Sequence, residues 1–322
     1  MRLWPERWRR PRPTSADETD GAAANETPAG GRSWLARWRA WPRPLRWALA
    51  AFLAVFLWYG VVGGVRAGIH HDVTLRPTAE QRPAGGSATL GLMAQLIRQQ
   101  VDERDFTPND PFFYPTALAS RTRAFQSAVI VALHDAVLAM ARSDNGEPVM
   151  EAADELRVSP AQWWLNGRWP FLGRPAEWHY RRAAADFVRI NRELAGSRAG
   201  QGSFVASQAD RNRILRALTA AFEAEATRGD LLIRDSEAGG VAVQIARTRG
   251  TAYVGAILLR GLAEDNASAI LGSGRATRWS EALDSLDSVV RIDPWISTRS
   301  DLVKAGYSLL MAATAIRSIL EE

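Results

Sequence analysis

The chain has 322 residues, no cysteine, and a formal net charge of +5 from 40 basic and 35 acidic side chains. Disulfides and thiolate chemistry are therefore excluded. The surplus of positive charge lies in residues 1–46, with ten Arg against five acids, while the remainder balances at 30 of each. A nucleic-acid binder carries its basic surplus on the folded domain, so nucleic acid is not an expected partner.

Residues 1–12 mix Arg with Trp and Pro, and 13–31 are small, polar and non-periodic, a composition that reads as disorder. Trp34, Trp38 and Trp41 then fall at i, i+4 and i+7, with Arg32 and Arg39 opposite. On a helix this spacing gives a face suited to the headgroup region and to anionic lipid. The segment 1–46 is read as an Arg/Trp-rich cytoplasmic tail.

Trp47 to Val65 is an uncharged apolar run between Arg46 and Arg66. At 1.5 Å per residue it spans roughly 28 Å, enough for a single transmembrane helix. Five Arg lie in the 20 residues before it and three in the 20 after. The positive-inside rule then keeps the N-terminus in the cytoplasm of a bacterial inner membrane and places the C-terminal domain in the periplasm. A cleaved signal peptide, cut after Val65-Arg66-Ala67, is the competing reading, but the 46-residue leader and the long apolar core favour an uncleaved signal anchor. Gly60 and Gly64, with Gly68 and the pair Ala50/Ala54, repeat at four-residue intervals, a spacing that permits self-association of spans, but the pattern is common in Gly- and Ala-rich spans and a monomeric anchor is the favoured reading.

Residues 66–87, with Pro77, Pro83 and the Gly85-Gly86 pair, read as a tether. From 88 to 322 the periodicity is helical throughout. Segments are expected at 88–104, 116–142, from Pro148 to about Val158, from Pro175 to Ala195, at 208–228, 240–263, 278–291 and 300–322. Gly250 and Gly255 predict a break or a close approach in the 240–263 segment. In the last segment Leu302, Gly306, Leu309, Ala313, Ile316 and Leu320 alternate at spacings of four and three, a packing seam. The fold class is all-α: one transmembrane helix followed by a multi-helix bundle.

Asp110-Pro111-Phe112-Phe113 leading into a long helix, Trp178-His179-Tyr180-Arg181-Arg182-Ala183, Asn191-Arg192-Glu193-Leu194, Asp210-Arg211-Asn212 and the closing Trp279 and Leu302-to-Leu320 helices occur in an order that resembles a bacterial family known as domain of unknown function 2333. The resemblance covers about two thirds of the chain, from about Asp110 onward. It implies a membrane-anchored helical domain and carries no functional residues with it.

No GxSxG elbow, Walker A loop, dinucleotide fingerprint or HExxH is present, and no metal or cofactor is expected. His70 and His71 follow the span, His134 sits inside a helix beside Asp135, and His179 follows Trp178; each reads as structural. The acids Glu281/Asp284/Asp287 and Glu151/Asp154/Glu155 share helix faces and read as solvated sides. The Ser159–Pro175 stretch gathers Trp163, Trp164, Trp169 and Phe171 among Gly and Pro. Such a loop either buries its rings or offers them to a partner. The leading expectation is a non-enzymatic envelope scaffold or interaction protein. The alternative is an enzyme acting on an envelope glycan or lipid, with helix-borne carboxylates near the Trp-rich loop.

Overall fold

The computed structural model describes residues 41–66, 68–69, 71–142, 147–165, 172–196, 208–235, 240–271 and 275–321. The chain divides into two compact units, residues 1–53 and 54–322. Residues 41–53 of the first are described, and from Arg43 they belong to the apolar helix α1, Arg43–Phe56.

In the second unit the apolar helix continues as a π-helical turn, Leu57–Val62, and a last α turn, Gly63–Arg66. The bundle follows: α2 (Ala88–Val101), a 3₁₀ turn (Pro115–Leu118), α3 (Ser120–Ala141), α4 (Glu147–Leu156), α5 (Ala176–Gly196), α6 (Gln208–Arg234), α7 (Val241–Asp265), α8 (Ala267–Leu271), α9 (Arg275–Val290) and α10 (Arg299–Glu321). Among the described residues there is no strand, only an isolated antiparallel bridge between Leu165 and Leu172.

Helices α3 and α7 form the central pair. On one side lie α2, α4 and α5; on the other lie α6, α9 and α10. Apolar residues ring α7, with Ile245, Tyr253, Val254, Ile257, Leu258 and Leu262 all buried, so it has no solvent face to reveal a stripe. Gly250 does not break it. A Cβ there would lie 2.5 Å from the Phe125 carbonyl oxygen, so glycine lets the backbones of α3 and α7 approach. The α10 seam is seated as its spacing requires: Leu302, Leu309, Ala313 and Ile316 are buried, and Gly306 and Leu320 are half-buried.

Residues 71–87, expected as a tether, run across the bundle surface and are held there. Val73 and Leu75 pack on the core. The Tyr253 hydroxyl donates to the Asp72 carbonyl (3.0 Å), and Gln81 is buried with its amide donating to Gln95 (2.7 Å). The buried Asn191 carboxamide donates to the carbonyls of Gln81 (2.7 Å) and Ser87 (2.9 Å) and accepts from the Ser87 N–H (2.7 Å). Asp265 then caps α2, accepting from the N–H groups of Ala88 (2.6 Å) and Thr89 (3.0 Å) and from the hydroxyls of Ser87 and Thr89. A carboxylate at a helix N-terminus satisfies orphan donors and complements the dipole. Proline and glycine in this segment shape turns on a surface; Gly85, at φ 84°, takes the left-handed conformation that its turn needs.

Candidate functional site

The apolar helix meets the bundle at the segment between α2 and α3. Trp58 Nε1 donates to the Phe113 carbonyl oxygen (3.0 Å), and the Tyr59 hydroxyl donates to the Phe112 carbonyl oxygen (2.7 Å). Five residues beyond Trp58, Gly63 is buried against the 3₁₀ turn, where a Cβ would collide with the Pro115 carbonyl oxygen. The π turn makes these contacts compatible. Its defining bond is present, the Gly63 N–H donating to the Trp58 carbonyl, so residues five apart stack. In an α-helix residue 63 would be swung about 140° around the axis from residue 58.

The segment those bonds hold is aromatic and outward-facing. Phe112, Phe113 and Tyr114 are all exposed, Phe112 at 85%. Phe113 lies edge-on to Phe112 (5.5 Å between centroids) and to Trp163 (6.1 Å), and Trp163 lies edge-on to Trp164 (5.0 Å). The two described tryptophans of the Ser159–Pro175 stretch thus join a larger aromatic group. Trp163 is half-buried and Trp164 is exposed. Trp169 and Phe171 lie outside the described residues.

Beneath the rings is a polar base. The Thr116 hydroxyl donates to Asp110, and Asn109 Nδ2 donates to Glu177 (2.6 Å) and to the Gln162 carbonyl (3.1 Å). Burial pushes the Asp110 carboxyl above its ordinary value, with the Thr116 bond opposing the shift and the nearby Glu177 charge adding to it. Arg123 donates to the carbonyls of Pro108 (3.0 Å) and Ala117 (3.1 Å), bracing both ends of the segment.

The other residues singled out in the sequence are placed elsewhere. Among the acids on shared helix faces, Glu281 pairs with Arg278 (2.8 Å) and Asp287 with Arg260 (3.0 Å). Glu151 pairs with Arg189 (3.5 Å), Asp154 with Arg157 (3.8 Å), and Glu155 with both His179 (2.5 Å) and Arg182 (3.1 Å). His71 lies 3.1 Å from Arg249 Nη2, His134 pairs with Asp135 at the surface, and His70 lies outside the described residues. Arg249 is itself buried; desolvation holds its guanidinium down at about 10, with Asp293 pulling the other way. Among the described residues no three His, Asp or Glu side chains are placed to share a metal ion. One groove of about 750 Å³ is lined by Arg82, Arg260, Glu264 and Asp287, and another of about 400 Å³ by Asp102 and Arg181; neither is lined by Trp163 or Trp164.

Gly64 leaves open space, whereas Gly60 is covered by the Phe56 ring. No atom lies within 4 Å of a Cβ built on Gly64, and the nearest atoms to one on Gly60 belong to Phe56 of the same helix. The glycine that packs tightly is Gly63, which a four-residue repeat passes over. Three consecutive aromatics between Pro111 and Pro115 were the available signal for the exposed segment. No family model matches the chain, nor does any curated protein or solved structure.

Proposed function

We propose that the chain is a single-span bacterial inner-membrane protein whose tail is cytoplasmic and whose helical domain works in the periplasm as a non-enzymatic scaffold or interaction protein. The observation that carries this reading is the contrast between two apolar helices. Ser120–Ala141 and Arg43–Val65 are both long and apolar enough to cross a membrane. In the most apolar window of the first, 61% is buried inside the bundle; in the second only 6% is. Apolar surface of that extent in water is strongly unfavourable, and a bilayer removes the cost. Arginine asymmetry supports the orientation, and the basic tail would meet anionic lipid. The open space at Gly64, one turn beyond Gly60, suits contact with a second copy of the span. The resemblance to domain of unknown function 2333 fits an anchored helical domain.

The enzyme reading is weaker because five of the helix-borne acids that it invokes, Glu151, Asp154, Glu155, Glu281 and Asp287, are engaged with Arg or His. No cofactor belongs to either reading. Alkaline phosphatase fused after Glu322 is expected to be active and a fluorescent protein there dark, with the chain retained in membranes after a carbonate wash. The reverse pair of signals overturns the orientation. A mature N-terminus near Gly68 replaces the anchor with a cleaved signal peptide.

A further inference from the structure

We infer that Phe112, Phe113 and Leu118 form an apolar lip that enters the periplasmic leaflet of the bilayer beside the span, an inference that rests on the spanning reading above. Phe112 is 85% exposed, Leu118 74% and Phe113 48%, so this segment turns its largest apolar side chains away from the core. A soluble domain gains nothing from that placement, whereas lipid covers it.

Depth comes from the two hydrogen bonds. Trp58 and Tyr59 lie inside the apolar run 47–65, short of its Val65 end. Their donors reach the carbonyls of Phe113 and Phe112, which fixes the lip level with a part of the helix that hydrocarbon surrounds. The same bonds solve the problem such a position creates. A backbone carbonyl in lipid has no water to bond, and irregular backbone is tolerated there only when its polar groups are satisfied internally. The two carbonyls flanking the exposed rings are the two that the helix serves. A protein partner could also cover aromatic rings, but it would not require donors from within the apolar run.

The surroundings have the character of a membrane interface. Trp295 stands across a shallow cleft of about 280 Å³ from Leu118, its chain neighbour Ile296 is 81% exposed, and the Arg121 guanidinium lies 4.6 Å from the Trp295 ring centroid. An indole with an adjacent guanidinium is suited to headgroups, with the rings toward the acyl chains and the cation toward phosphate.

The absence of cysteine makes the test direct, since an introduced cysteine is unique. The full-length chain is reconstituted into phosphatidylethanolamine/phosphatidylglycerol vesicles containing lipid brominated in the acyl chains. An environment-sensitive fluorophore is attached in separate variants at Phe112→Cys, Leu118→Cys, Phe52→Cys inside the span and Arg142→Cys at the far end of α3. The expected result is quenching and a blue shift at 112, 118 and 52, with neither at 142. Quenching at 52 while 112 and 118 behave like 142 overturns the lip and leaves the span intact. Loss of quenching at 52 overturns the span and the lip together. Circular dichroism of each variant confirms that the label reports on a folded chain.

Discussion

A methyl group at Gly250 would lie 2.5 Å from the Phe125 carbonyl oxygen and 2.9 Å from the Ala128 Cβ. Alanine improves intrinsic helix propensity by about 1 kcal/mol, but the obstruction is backbone on a packed neighbour, and overpacking costs about 1–3 kcal/mol. Gly250→Ala is therefore expected to lower stability, read as a reduced denaturation midpoint. Sequence left Gly250 between a break and a close approach, because the deciding partner lies in another helix. Asp110 makes a second residue-scale case. Its carboxyl is raised above the ordinary 3.8, burial being the main cause, so the ionised form disfavours the native state. For a raised acid this cost is fully present above the folded pKa and vanishes as pH falls below the unfolded value. Asp110→Asn can still accept from Thr116, so it is expected to melt at or above the parent chain at neutral pH. That difference should close in acid, and a gap that widens on acidification would contradict the assignment.

At the scale of elements, α10 offers the cleanest comparison. Leu309 is fully buried and Lys304 is exposed, its partner Asp301 at 3.5 Å in a solvated pair. Leu309→Ala is expected to cost on the order of 2–5 kcal/mol and Lys304→Gln less than about 0.5 kcal/mol, measured as denaturant midpoints. The seam was legible because a surface helix shows its core in a one-sided repeat. The start signal at Pro175 was equally local, and its helix begins at Ala176; the periodicity over 208–228 likewise matches a helix beginning at Gln208. Helix α6 runs on to Arg234, past the expected 228, because its last turns carry no stop signal and Gly229 is accommodated against Leu302. The aromatic segment at 112–114 was visible as composition only. Which way its rings point depends on a 3₁₀ turn and on bonds to residues more than fifty positions earlier, and no local pattern encodes that.

For the molecule as a whole, the docked course of residues 71–87 changes what counts as the folded domain. A fragment beginning at Gly68 keeps Val73 and Leu75 on the core, the Asp72–Tyr253 bond and the buried Gln81. One beginning at Ala84 loses all of them and exposes the surfaces that they covered. The longer fragment is expected to be more stable by on the order of 2–5 kcal/mol, measured by urea titration of the two. Equal midpoints would return this segment to the role of a spacer. If the longer fragment wins, then on the proposed anchored reading the domain would be held close to the bilayer, because its own fold consumes the chain that would otherwise give it reach.

The π turn at Leu57–Val62 behaves as a phase shifter in a helical screw. It absorbs one extra residue without the rotation an α-helix would add between the donors at 58 and 59 and the backbone contact at 63, so all three address one strip of the bundle. Inserting a single residue, such as an alanine after Val61, would exceed what one π turn absorbs and rotate everything beyond it by roughly 100°. The composition of the apolar run would hardly change. Only the angular register would be lost: on the proposed reading the chain would still span the membrane, but its domain could no longer engage both contacts at once. A one-residue insertion would thus separate being anchored from being aimed.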